Sequence, residues 1–226
     1  ASIYYKEQQR LYGKADFYSM DPFHEGGNAG GVDLRKAGEA IMGAMKAVNP
    51  NAVWVVQAWG ACPYPAMIKH LNNGDMLVLD LYSENRPQWG DPESTWYRKE
   101  GFNGHDWAFC MLLNFGGNVG MFGKLQHVVD EYYKARQSKF ASTMKGVGLT
   151  MEGIENNPVM YELVSELPWR DAKFAWKEWL HDYVEARYGN INNAKVHDAW
   201  LLLARSVYGA EAKIVEQGCH ESVLCA

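Results

Sequence analysis

At 226 residues, with 47% hydrophobic and 22% charged, the chain has a globular composition long enough for one substantial core, or for one domain and part of another. A net charge of -5, with no basic cluster beyond Lys134–Arg136 and Lys139 on a helix face, argues against nucleic acid as a partner. No apolar run approaches the ~20 residues of a membrane span.

Tyr4–Tyr12 reads as the end of a helix. Asp16–Phe23 is a short apolar and aromatic run, closed by Asp21-Pro22 and followed by Gly26, Gly27, Gly30 and Gly31. It predicts a buried strand entering a loop. Over Asp33–Val48, the residues Leu34, Ala37, Ile41, Ala44, Met45 and Val48 recur at helix spacing, with Asp33 at the N-terminus. Ala52–Trp59 is β-branched and nearly continuous, a pattern that suits a parallel strand buried on both faces. Pro65–Leu71 predicts a short helix and Met76–Tyr82 a third, buried strand. Ser83–Gly104 is a long polar connection bearing Trp. Trp107–Phe115 is a fourth strand ending in Gly116-Gly117, Leu125–Gln137 a helix, and Lys145–Met151 a fifth strand stopping at Glu152-Gly153. After Asn157 the texture changes to helix alone, over Val159–Leu167, Ala172–Tyr188 and Asn193–Tyr208, followed by an irregular stretch from Gly209.

Alternation of strand and helix up to Gly153 indicates a parallel sheet, because parallel neighbours need crossover connections. An open doubly wound sheet and part of a (β/α)8 barrel both fit. The segment Gly116–Gly120 is Gly-rich but is neither GxGxxG nor a P-loop. The expected fold class is therefore α/β: a partial (β/α)8 barrel with several strands outside the chain, followed by an α-helical segment.

Active sites of such folds sit at the C-terminal ends of the strands. His24-Glu25, Gln57 and Trp59, Asp80, Tyr82 and Glu84, Asn114 and Asn118, and Glu152 fall there. Carboxylates, amides and an aromatic with few cations suit a neutral, hydroxyl-rich ligand; a phosphate ester would call for Lys or Arg. The aromatic content, with nine Trp and thirteen Tyr, fits sugar stacking as well as a bulky core.

Cleavage of a glycosidic bond needs two carboxyls, one to protonate the leaving oxygen and one to attack the anomeric carbon or activate water. Glu25, Asp80, Glu84 and Glu152 are the candidates. Asp80 inside a strand also fits a role of binding neighbouring backbone, and Glu84 that of a solvated loop residue. Glu25 and Glu152 each stop an apolar strand and precede Gly, which places a charge beside closely approaching backbone. His24 is positioned to orient or tune Glu25 or to bind a sugar hydroxyl, with a backbone-satisfied loop histidine as the alternative.

Other chemistries find less support. No GxSxG elbow accompanies a Ser-His-Asp set. His, Asp and Glu are too scattered along the chain to define a metal site, so neither metal nor cofactor is expected. Cys62, Cys110, Cys219 and Cys225 form no CxxC pair and lack zinc spacing to His. Cys110 reads as a buried thiol, and Cys219 and Cys225 are close enough for a local disulfide.

The segments DPFHEGG (Asp21–Gly27), VWVVQAW (Val53–Trp59), MLVLDLYSE (Met76–Glu84), WAFCMLLNFGGNVGMFG (Trp107–Gly123) and GVGLTMEGIENNPVMYEL (Gly146–Leu163) resemble the α-N-acetylglucosaminidases of glycoside hydrolase family 89. AWKEWLHDYVEARYG and AWLLLARSVYG continue the likeness to Gly209. The resemblance implies retaining hydrolysis of a glycan ending in α-linked N-acetylglucosamine, with Glu25 as general acid/base and Glu152 as nucleophile. It implies Trp59, Leu81, Leu112 and Phe115 as pocket residues, and Asp80 and Asn118 as neighbours. His24 departs from the Asn that precedes the acid/base in many members. The resemblance also implies a larger enzyme, of which 1–157 is the later half of the catalytic barrel and 158–226 the start of an all-helical C-terminal domain. The remainder of that enzyme is the expected partner, and the parent protein is expected to be exported or lysosomal. Two alternatives stay open: a non-catalytic carbohydrate-binding or structural fragment, and a glycosidase of another barrel family.

Overall fold

The computed structural model describes residues 1–25, 27–113, 120–152, 157–189 and 194–209. Five strands form one sheet in the order β1 (Phe17–Ser19), β2 (Val53–Ala58), β3 (Met76–Asp80), β4 (Asp106–Met111) and β5 (Met144–Leu149). The first three pairings are parallel, with Trp54 opposite Tyr18 and Met76, and Leu77 opposite Asp106. The helices are α1 (Ser2–Tyr12), α2 (Leu34–Lys46), α3 (Pro65–Ile68), α4 (Leu125–Arg136), α5 (Pro158–Glu166), α6 (Trp176–Tyr188) and α7 (Ala194–Arg205). No helix of the described residues is long and apolar enough to cross a membrane.

The chain divides into two compact units, Ala1–Leu81 with Arg86–Phe109 and Lys139–Gly146, and Tyr82–Asn85 with Cys110–Ser138 and Val147–Ala226. In the first unit, α2 begins where the Asp33 side chain accepts the Lys36 N–H. This satisfies one donor that the helix itself leaves open. Its buried residues Gly38, Ile41, Met42, Ala44 and Met45 follow the apolar spacing of the sequence. Along β2 the residues Trp54, Val56 and Ala58 are buried, while Val53, Val55 and Gln57 are half-buried. The expected burial on both faces is thus complete on one face only. A β-branched run suits coverage on both sides, but elements packed against each face decide whether coverage occurs. The first strand departs further: it has three residues, and only Tyr18 is buried, with Phe17 61% exposed. It stands at the end of the strand order and has one neighbour.

In the second unit, α4 buries Leu125, Val128, Val129, Tyr132 and Tyr133, and α5 buries Val159, Met160, Leu163 and Val164. Tyr133 donates its hydroxyl to the carbonyls of Arg170 and Ala172 at 3.1 and 2.8 Å, tying α4 to the connection before α6. The fourth strand ends at Met111 rather than Phe115. The N–H groups of Leu112 and Leu113 both go to the Glu84 carboxylate at 2.9 Å, and Leu113 turns to a φ of 34°. A carboxylate there replaces the ladder partner that an extended strand would need. The expected helix from Ala172 starts at Trp176.

Candidate functional site

The loop after β1 is held from several sides within the first unit. Asp21 Oδ1 accepts the Gln57 N–H at 2.7 Å, the Met20 carbonyl accepts the Trp54 indole N–H at 2.8 Å, and the Cys62 thiol donates to the Phe23 carbonyl at 3.2 Å. His24 Nε2 lies 3.2 Å from the Gln57 carbonyl, a contact that requires the proton on Nε2. Phe23 and Glu25 have φ of 61° and 47°, a left-handed backbone that non-glycine residues seldom adopt. A Cβ at Gly27 would stand 2.9 Å from the Phe23 backbone, so the turn has no room for a side chain there. This constrained turn leaves Glu25 exposed.

The connections after β2 and β3 form a second group in the same unit. Asp80, fully buried at the end of β3, accepts the N–H groups of Gln88 and Trp89 through Oδ2 at 2.9 and 3.0 Å. Gln88 Oε1 accepts from Arg98 Nε at 2.6 Å. The same guanidinium donates to the carbonyls of Pro63 and Cys62 at 2.8 and 2.7 Å. Burial lowers the Arg98 pKa, and the Asp80 charge opposes that shift. Asp80 and Arg98 therefore tie the connection after β3 to the one after β2. Trp59 is half-buried and meets Trp96 edge-on at 4.7 Å, and Arg86 lies over the Trp96 ring at 5.2 Å. Beside this pair runs an open groove of about 680 Å³ whose lining includes Tyr64, Trp96, Tyr97, Glu100 and Asn103. Leu81 is half-buried.

In the second unit Glu84 is the central finding. A candidate carboxyl for which a solvated loop position was the alternative, it is 4% exposed and caps the end of β4. Burial pushes its pKa up to about 7, against the lowering by the Leu113 and Leu112 N–H groups and by the Lys124 charge. Lys124, itself buried, donates to Asn85 Oδ1 at 2.8 Å, and burial lowers its pKa. His127 Nε2 contacts the Glu84 carbonyl at 2.8 Å. Glu152 lies three residues beyond β5 and is exposed, while Thr150 just before it is anchored by its N–H to the Met111 carbonyl at 3.0 Å.

Of the residues picked from sequence, His24, Glu25, Trp59, Asp80 and Leu81 belong to the first unit, and Leu112 and Glu152 to the second. Leu112 is buried. Phe115, Asn118, Cys219 and Cys225 lie outside the described residues. Sequence reasoning passed over Arg98, Lys124 and His127. Their charge and position in polar stretches carry no signal for burial, which depends on partners 10 to 43 residues away.

Residues 1–171 match the family description "Alpha-N-acetylglucosaminidase (NAGLU) tim-barrel domain", and residues 179–226 match the C-terminal domain of the same family. Human alpha-N-acetylglucosaminidase is 34% identical over 224 residues, a match spanning 94% of this chain and 29% of the human protein. A family 89 glycoside hydrolase from Clostridium perfringens, in complex with 2-acetamido-1,2-dideoxynojirmycin, is 32% identical with a TM-score of 0.83, over 99% of this chain and 24% of that one. The same bacterial enzyme with two glutamates changed to glutamine, in complex with its substrate GlcNAc-alpha-1,4-galactose, gives a TM-score of 0.84 at 32% identity, with the same coverage. The chain thus spans less than a third of the length of these relatives. Its parallel sheet with helices is part of a TIM barrel, and a helical segment follows.

Proposed function

The chain belongs to the α-N-acetylglucosaminidase family, and from that premise we propose that it supplies both catalytic carboxyls of an enzyme removing terminal, non-reducing, α-linked N-acetylglucosamine with net retention. Glu152 is the nucleophile and Glu25 the general acid/base. The observation that carries this reading is the pair of glutamates, six and three residues beyond the C-terminal ends of β1 and β5 and inside the motifs FHEGG and MEGI. A relative crystallised with its substrate after two glutamates were changed to glutamine supports the pairing.

The Glu152 carboxylate attacks the anomeric carbon while Glu25 delivers its proton to the departing glycosidic oxygen. The bond to the aglycone breaks and an ester to Glu152 forms. Water, losing its proton to Glu25, then attacks the same carbon and releases the sugar with its original configuration. Retention of this kind calls for carboxyls roughly 5–5.5 Å apart. We assign His24, Trp59, Asp80, Leu81, Leu112, Phe115 and Asn118 to the surrounding substrate site. His24 is held by the Gln57 carbonyl and fixes the turn that presents Glu25. Asp80 acts through the backbone of Gln88 and Trp89, and half-buried Trp59 offers a ring to a sugar face. This mechanism calls for no metal or cofactor. The barrel portion is assigned to 1–157 and the helical domain to 158–226, within a larger exported or lysosomal enzyme whose remaining strands complete the barrel.

The test is kinetics of Glu25→Gln and Glu152→Gln in the full-length enzyme, with the anomer released first followed by NMR. Glu25→Gln is expected to lose about 10²–10⁴-fold on a glycan substrate and much less on an aryl glycoside whose leaving group needs no proton. Glu152→Gln is expected to fall to background on both, and the wild type to release the α-anomer. First release of the β-anomer, or wild-type turnover by Glu152→Gln, would overturn the assignment in favour of inversion or of a non-catalytic sugar-binding role.

A further inference from the structure

On α6, His181 and Glu185 stand four residues apart, so the same helical face carries both. His197 on α7 comes to that face, its Nε2 2.9 Å from Glu185 Oε1. The rings of His181 and His197 stack with centroids 4.7 Å apart and planes 20° from parallel. One ligand atom from each of the three residues lies within 4.8 Å of the others. A cavity of about 290 Å³ opens beside them, lined by both histidines, Lys177, Leu180, Val184 and Trp200 among others.

We propose that His181, Glu185 and His197 form a binding site for a divalent transition-metal ion of the zinc type, linking α6 to α7. Pairing of Glu185 with one histidine needs no second imidazole, yet His181 is stacked alongside. The stacking brings a nitrogen of each ring to the same side as the Glu185 carboxylate, so three donor atoms converge on one point beside the cavity. Two nitrogens and one carboxylate oxygen match a common zinc donor set, leaving a fourth position for water from the cavity. Tetrahedral zinc with bonds near 2.0–2.2 Å sets its ligand atoms roughly 3.3 Å apart, within side-chain adjustment of the observed spacing. Asp182, 3.8 Å from His181 Nδ1, adds a negative charge, and Lys177 and Arg205 at the cavity add positive ones. The protein contribution is thus geometric more than electrostatic. Nothing in the proposed glycosidase chemistry uses this cluster.

Titration of the purified metal-free chain with Zn²⁺ by calorimetry, and with Co²⁺ by visible d–d absorption, tests the site. The expected result is saturable binding of one ion per chain, a tetrahedral Co²⁺ spectrum, and a Zn²⁺-dependent rise in Tm, because an ion that binds the native state stabilises it. His181→Ala and His197→Gln should each weaken binding by at least about tenfold, whereas His70→Ala, at an exposed histidine elsewhere, should not. His181 is exposed enough that its replacement spares the fold, which circular dichroism checks. No saturable binding by the wild type, or unchanged binding by a folded His181→Ala variant, would overturn the proposal.

Discussion

Glu84 illustrates how one side chain takes on a role that its neighbours in sequence do not announce. Its carboxylate substitutes for strand partners at Leu112 and Leu113, which is a demanding position for a charge. With the folded pKa near 7 and an ordinary value of 4.5, the native state holds this proton more tightly than the unfolded chain. Stability is therefore lost as pH rises from about 4.5 to about 7, and the full cost persists above that. A shift of this size corresponds to about 3 kcal/mol. Glu84→Gln keeps an oxygen for the two N–H groups and removes the ionisation. Urea denaturation at pH 5 and pH 8 should find the variant gaining on the wild type by about 2–3 kcal/mol between the two conditions. Parallel stabilities at both pH values would mean that Glu84 is not a buried ionising group. Glu25, by contrast, has its backbone constrained and its carboxyl left exposed, an arrangement suited to a group that must meet a substrate.

At the scale of elements, the contact of α2 with α3 depends on a missing side chain. A Cβ at Gly38 would lie 2.2 Å from the Met67 carbonyl oxygen, and backbone cannot yield as a flexible side chain can. On helix propensity alone Gly38→Ala should stabilise α2 by about 1 kcal/mol. The clash reverses the sign, with a net loss of about 1–3 kcal/mol expected from overpacking. A thermal melt checks this: the variant should unfold several degrees below the wild type. A higher Tm would show that α2 and α3 separate at little cost. The same dependence on contact explains the strand ends. The apolar run to Phe115 reads as one strand, but the backbone partners of Leu112 and Leu113 come from Glu84, and the strand stops.

At the scale of the whole molecule, the sheet among the described residues has five strands in an order that runs from β1 to β5, with Phe17 of β1 61% exposed and Leu149 of β5 38% exposed. A TIM barrel closes with eight. Apolar residues on terminal strands invite pairing with further strands. The 226-residue chain, assayed alone on an aryl α-N-acetylglucosaminide, is expected to turn over far more slowly than a full-length relative at equal concentration. Turnover at the relative's rate would show that these five strands and their helices suffice.

By itself the sequence determined the alternation of strands and helices, the change to helix after Asn157, and the motifs around Glu25 and Glu152. Apolar periodicity and turn residues are local properties, and the two motifs are contiguous in the chain. Only the tertiary structure decided which polar groups are buried. Asp80 and Arg98 join the connections after β3 and β2 through Gln88 and backbone carbonyls, and Glu84 closes β4 from 28 residues away. His197 on α7 reaches Glu185 on α6, 12 residues away in sequence. In each case the deciding interaction is a hydrogen bond or charge contact formed after the chain folds back on itself, and its energy depends on burial that no local pattern encodes.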